Sequence, residues 1–232
     1  MTAMLLEASR PTARNRQPDR STRRAMHICG LNHVRAQIGL RERYALSAQQ
    51  CRALLRRIQE EGIAEQALVL STCNRTEIYA WDGAERLEDR LRELFLALGG
   101  DQAELDGPPP LYQYQGLEAL RHLLAVAAGL DSMLLGENQI KRQLLQAYEW
   151  CQAEGCAGTE LHRALKAAFQ CGKRIRTETG LNQGTLCVGT AAILRGEQRL
   201  GGLEGKVCLI IGAGKIGRLA AQAIADRKPA RL

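Results

Sequence analysis

Apolar and polar positions divide this chain into three regimes. In the first, short strand-like runs alternate with segments of helical period. Met26 to Leu31 reads as a strand, and Asn32-His33 begins the turn after it. Ser47 is placed to cap a helix over Ala48 to Glu61, in which Cys51, Leu54, Leu55 and Ile58 share a face before Gly62 ends the run. Two strand-like runs, Ala67 to Leu70 and Glu77 to Trp81, flank a polar turn. A second amphipathic helix is predicted over Glu85 to Leu98, with Leu87, Leu91, Leu94, Phe95 and Leu98 on one side and Gly99-Gly100 at its end. Beyond Pro108-Pro109-Pro110, Leu111 to Tyr114 suits one more strand. The order βαββαβ predicts a ferredoxin-like split unit, with both helices on one face of a small antiparallel sheet.

From Gly116 the pattern becomes nearly continuous helix: Leu117 to Ala128, Gln139 to Gln152, Thr159 to Thr177 and Leu186 to Leu200, punctuated by Gly155 and Gly180. Met133, Leu134, Leu135, Leu144, Leu145 and Tyr148 suit packing. Lys166, Lys173, Arg174 and Arg176 read first as a solvated face and second as a basic patch for a nucleic-acid backbone. The third regime starts after Gly201-Gly202. Lys206 to Ile211 has the pattern of a short buried strand. Gly212-Ala213-Gly214-Lys215-Ile216-Gly217 follows, and then a helix from Arg218 to Ala225. A GxGxxG between strand and helix predicts a dinucleotide loop, because its glycines permit a tight turn and close approach of the pyrophosphate to the helix N-terminus. The domains expected are a disordered basic tail over 1–25, a catalytic domain over 26–185, a connecting helix and linker over 186–204, and an incomplete Rossmann start over 205–232.

Bulk properties narrow the setting. The 232 residues are 45% hydrophobic, enough for a substantial core, and no apolar run approaches the roughly 20 residues of a membrane-spanning helix. The N-terminus lacks the apolar stretch of a secretory signal, so the expected location is the cytoplasm, without membrane association. The eight cysteines form no CxxC pair and suggest free thiols in a reducing compartment, with no metal site. The net charge of +7 suits a polyanionic partner, but the six arginines in residues 1–25, against Glu7 and Asp19, supply four of the seven charges. That tail reads as disordered, and a start codon placed too early accounts for it, Met26 standing just before the first strand.

The polar turn carries the candidate chemistry. In Leu70-Ser71-Thr72-Cys73-Asn74-Arg75-Thr76-Glu77 a single thiol follows an apolar run and precedes a strand, which presents it to solvent. The thiolate is the nucleophile, and a cation such as Arg75 would favour it. A small apolar residue at a strand end is the competing account of Cys73.

These segments together resemble the glutamyl-tRNA reductases, which open the plant and bacterial route to tetrapyrroles. The resemblance runs from about Met26 to Leu232 and is carried by Ser71 to Glu77, Gly129-Leu130-Asp131-Ser132 with Leu135-Gly136-Glu137, Arg174 to Gly180, and the glycine loop. It implies an α+β ferredoxin-like catalytic domain with appended helices, followed by the start of a Rossmann-type α/β NADP-binding domain in a C-terminally truncated member. Cys73 would be the nucleophile that displaces tRNA from glutamyl-tRNA(Glu), and NADPH would reduce the thioester to glutamate-1-semialdehyde, the precursor of 5-aminolevulinate. His122 would match the family histidine important for activity. Thr72, Asn74, Arg75, Ser132, Glu137, Asn138, Gln139 and Gln143 would contact substrate, with Arg75 suited to a two-pronged carboxylate contact. Gly212, Ala213, Gly214, Lys215, Ile216 and Gly217 would form the NADPH loop. A homodimer is implied for the complete protein rather than this chain, with the downstream aminomutase as a possible partner. The chain departs from the family pattern at Val34-Arg35-Ala36-Gln37, at Asn138 in place of proline and at Arg142 in place of glycine. A different reading makes it a truncated remnant that binds glutamyl-tRNA and forms or hydrolyses the thioester without reducing it. An ordinary Rossmann dehydrogenase with an unrelated helical domain is a third.

Overall fold

The computed structural model describes residues 25–82, 86–100, 107–137, 139–179, 181, 188–212 and 214–232. The expected disordered tail lies outside these residues apart from Ala25, as do Asn138 and Ala213. Four strands form one sheet: β1 (Ala25–Asn32), β2 (Gln66–Ser71), β3 (Arg75–Asp82) and β4 (Tyr112–Gln115). Their order is β2-β3-β1-β4 and every neighbouring pair is antiparallel. Between them lie α1 (Ile38–Arg43), α2 (Ala48–Glu60) and α3 (Leu87–Leu98). The expected βαββαβ order is therefore present, with α1 added. Ser47 caps α2 through a reciprocal capping box with Gln50. Cys51, Leu54, Leu55 and Ile58 are the residues α2 buries.

The sheet is covered on both faces, so its strands are buried at nearly every position instead of alternating. Helices α2 and α3 pack on β2 and on β1 with β3, while α4 (Leu117–Ala128) packs on β1 and β4. Helices α5 (Gln139–Ala153) and α6 (Thr159–Glu178) close over β2. Pleating then sorts the side chains. The register of β1 on β3 runs from Ala25↔Asp82 to Asn32↔Arg75, which places Arg75, Glu77 and Tyr79 on the same face as Asn32, Gly30 and Ile28. That face looks toward α4. Among the described residues no helix is long and apolar enough to cross a membrane.

Two expectations need correction. The segment after β1 is not simply a turn but contains α1, a six-residue helix with no buried residue. Without a buried face it leaves no apolar period in the sequence. The run Lys206 to Ile211 is not a strand: its only ladder contact among the described residues is the isolated parallel bridge Val207↔Arg231. Val207, Leu209 and Ile211 are 76%, 85% and 91% exposed, because an extended segment needs neighbouring strands to bury its side chains. Helix α8 (Lys215–Ala225) follows the glycine turn and packs on α7 (Val188–Leu200), sharing the small cluster Ile193, Leu203, Ala223 and Ile224.

Gly30 shows how closely the layers meet. A methyl added there would lie 2.8 Å from Cγ of Glu77, 3.0 Å from Cε2 of Tyr112 and 3.1 Å from the Thr76 carbonyl oxygen. Gly30→Ala is expected to lose about 1–3 kcal/mol through this overpacking. Urea titration checks it: the midpoint falls while the slope stays that of the wild type.

Candidate active site

The connection from β2 to β3 is a three-residue loop, Thr72-Cys73-Asn74. Its shape is fixed locally. The Thr72 hydroxyl oxygen accepts the N–H groups of Asn74 and Arg75, each at 3.2 Å, and the Thr72 N–H donates to the Arg75 carbonyl at 2.8 Å. The connection from β1 then leans on the loop. His33 N–H donates to the Asn74 carbonyl at 2.8 Å, and Arg41 Nη1, from α1, donates to the Cys73 carbonyl at 3.3 Å and to Asn74 Oδ1 at 3.1 Å. Cys73 is exposed at the tip, and its Sγ takes no hydrogen bond from the described residues. The interior thiols differ: burial pushes Cys29 and Cys151 up to about 12, and Cys51 and Cys156 up to about 11, which leaves them protonated and inert.

Beneath the loop lies a buried polar network centred on Glu77. Its carboxylate accepts from Arg75 Nη1 at 3.0 Å, from His122 Nε2 at 2.7 Å, and from the hydroxyls of Tyr79 and Tyr112. Burial opposes the Glu77 charge, but the Arg75 guanidinium, His122 and the Tyr112 hydroxyl outweigh it and hold the carboxyl far below the usual carboxylate range. Burial likewise opposes the charge on Arg75, and Glu77 more than restores it. Both tyrosines stay neutral donors, raised first by burial and then by the adjacent carboxylate. Arg75 extends the network outward: Nη1 donates to Asp131 Oδ2 at 2.9 Å and Nη2 to the Asp131 carbonyl, while Asn32 Nδ2 reaches the same Oδ2 at 3.3 Å. The loop after α4 is thereby fastened to the sheet, and Gly136 N–H closes it on the Gly129 carbonyl at 3.0 Å.

The expected site residues occupy distinct places. Thr72, Cys73 and Asn74 form the loop. Arg75, expected to contact substrate, has a side chain 1% exposed, with Nη1 donating to Glu77 and Asp131 and Nη2 to the Asp131 carbonyl. His122 is tied to Glu77 and lies against the rings of Tyr114 and Tyr112, with centroids 5.1 and 5.4 Å away. No hydrogen bond among the described residues joins it to Cys73. Ser132 and Glu137 sit half-buried on the loop after α4, and Gln139 and Gln143 lie one turn apart at the start of α5. Four residues outside the expected set join the site: Glu77, Asp131, His33 and Arg41. Burial and the Arg75 guanidinium, assisted by Arg41, hold the His33 imidazole below its ordinary value against the pull of Asp131 and Glu137. The alternation Arg75-x-Glu77-x-Tyr79 is the signal for Glu77, since residues two apart share a strand face. The basic patch suggested on α6 is partly self-paired, Arg174 bridging Glu178 at 3.0 Å.

At the glycine loop, Gly214 caps α8, and a Cβ at Gly217 would collide with the Gly212 carbonyl, so the turn requires glycine there. Gly214 and Ile216 precede or open the helix as a pyrophosphate cradle requires.

A family model described as the glutamyl-tRNAGlu reductase N-terminal domain matches residues 29–179. Glutamyl-tRNA reductases of Akkermansia muciniphila and Rubrobacter xylanophilus are 39% and 38% identical, covering 86% and 88% of this chain and 59% and 48% of their own length. That of Myxococcus xanthus is 42% identical, over 84% of this chain and 43% of its own. The solved glutamyl-tRNA reductase from Methanopyrus kandleri superposes with a TM-score of 0.62 at 32% identity, over 88% of this chain and 47% of that one. The chain thus spans about half the length of the relatives it matches.

Glu77→Gln is expected to destabilise the fold by about 3–5 kcal/mol at pH 7, because it leaves the Arg75 guanidinium buried without its main counter-charge. The folded-state pKa lies below the unfolded value of about 4.3, so the Glu77 contribution is full above that pH and is lost as pH falls below it. Urea titrations between pH 7 and pH 3 check both points: wild type and variant differ most at pH 7 and converge on acidification.

Proposed function

The chain belongs to the glutamyl-tRNA reductase family, and on that premise we propose that residues 26–185 form the acylating domain of an NADPH-dependent reductase of glutamyl-tRNA(Glu). The observation that carries the reading is Cys73 itself: it is the exposed thiol among the described cysteines, and it stands on a hydrogen-bonded loop braced from below by the Arg75–Asp131 contact. In this reading the Cys73 sulfur attacks the ester carbonyl, a C–S bond forms and the C–O bond to the tRNA ribose breaks. The thiol proton ends on the released ribose hydroxyl. Thr72 and Asn74 hold the loop in its presenting shape, and Arg75 acts as a positioning residue. His122, kept in a fixed orientation by Glu77, supplies an imidazole at the edge of the network. Ser132, Glu137, Gln139 and Gln143 are assigned to the polar ends of the glutamyl group. NADPH, when bound, supplies hydride, and Gly212, Gly214 and Gly217 are the residues here suited to hold its pyrophosphate. The product would be glutamate-1-semialdehyde, handed to an aminomutase.

A second reading, thioester formation or hydrolysis without reduction, differs from the first only in the NADPH step. Incubation with glutamyl-tRNA carrying labelled glutamate, followed by a denaturing gel, tests the first half. Label is expected on wild type and absent from Cys73→Ala; equal labelling of both defeats the acylation reading. NADPH oxidation measured in the same samples separates the alternatives: turnover supports the reductase, and label without turnover supports acylation alone.

A further inference from the structure

We propose that the cleft between the N-terminal halves of α4 and α6 binds a free apolar α-amino acid in its zwitterionic form. The cleft lies at the end of the sheet away from the thiol loop, since Trp81 stands about 20 Å along β3 from Arg75. It is independent of the acylation reading.

Helix packing opens the space. Helices α4 and α6 meet closely at Gly172, where a methyl would lie 3.0 Å from the Ala127 carbonyl oxygen and 3.2 Å from Ala128 Cα. Toward their N-terminal ends a cleft of about 430 Å³ separates them. Met26 and Trp81, cross-strand neighbours on β1 and β3, line it from the sheet and are nearly buried. Leu117 and Leu120 line it from α4, and Ala164 and Ala167 from α6. The two alanines are too small to fill the space across from Leu117, which stays 74% exposed. A mainly apolar cleft of this volume falls within the range of small-molecule sites, about 300–1,000 Å³.

Two opposite charges on the same wall select the ligand. Glu160 and Arg163, one turn apart on α6, both line the cleft. They are loosely paired, with Nη1 of Arg163 4.0 Å from Oε1 of Glu160 and side chains 73% and 43% exposed for Arg163 and Glu160. A simple acid entering the cleft would meet Glu160 as a like charge, and a simple amine would meet Arg163 as one. A zwitterion satisfies both, its carboxylate on the guanidinium and its ammonium on the carboxylate. An α-amino acid carries the two charges and the side chain on one carbon, so with its charged groups on α6 the apolar remainder points toward Trp81 and Leu117. A polypeptide segment has its backbone charges only at its two ends, which favours the free amino acid.

L-Phenylalanine, phenethylamine and 3-phenylpropionate share one apolar body and differ in charge, and together they test the assignment. The chain has two tryptophans, so a Trp150→Phe background leaves Trp81 as the single indole reporter of the cleft. Titration with phenylalanine is expected to give a saturable change in Trp81 emission, with a Kd about threefold lower than that of either analogue, the ratio a solvent-exposed ion pair supplies. Arg163→Gln should bring phenylalanine level with phenethylamine while its advantage over 3-phenylpropionate remains. Glu160→Gln should do the reverse. Both substitutions are at surface side chains outside the core, and the ratio within each variant cancels any general change in the cleft. Ala167→Phe fills the space from its exposed side and should abolish the response. Absence of a saturable change with phenylalanine overturns the proposal. Equal Kd values for the three compounds on wild type do so as well, since they would leave only a non-selective apolar groove. A response that survives Ala167→Phe would place the ligand elsewhere and overturn it too.

Discussion

A carboxylate with no exposed surface is the constraint around which this fold closes. Glu77 stands at the centre of β3, and water cannot reach it. Its charge is retained only because Arg75, His122 and two tyrosine hydroxyls converge on it from three elements. Each of those partners is placed by something else: Arg75 by the pleat of the same strand, Tyr112 by the β4 register, His122 by the packing of α4. Buried ion pairs seldom add much net stability over an apolar core, but breaking one is costly, so such a network favours the arrangement in which every member is present. Gly30 is part of that arrangement, since a side chain there would occupy the space of Glu77 and Tyr112.

The network also turns a structural requirement into a positional one. Arg75 is held from below by Glu77 and holds Asp131 above, which fixes the loop carrying Ser132 and Glu137 relative to the hairpin carrying Cys73. Two segments far apart in the chain are thereby brought to one place without touching the thiol. Strand alternation turns Arg75 inward, and Arg41 reaches the loop from α1.

Much of this was legible in residue pattern. The βαββαβ order, the capping of α2 at Ser47, the faces of α2 and α3 and the exposed hairpin thiol all follow from local period and turn chemistry, which act within a few residues. Three features were not. Helix α1 has no fully buried residue and is too short to leave a period. The pairing of Arg75 with Asp131 spans 56 residues, and no local rule reports a contact of that range. The segment Lys206 to Ile211 has strand composition, but strand formation depends on neighbours that composition does not supply.

The two sides of the thiol loop are secured very differently. Below it, Arg75 and Glu77 lie on β3, an interior strand of the sheet, so their amides are expected among the slowest to exchange. Beside it, α1 has no fully buried residue: Leu40 is partly buried against the core, Arg43 Nε donates to the Gly99 carbonyl, and Arg41 joins α1 to the loop through two hydrogen bonds. With fewer contacts to lose, α1 is expected to open at a lower free energy than the domain as a whole. The site has a floor built into the core of the fold and a wall held by far fewer contacts.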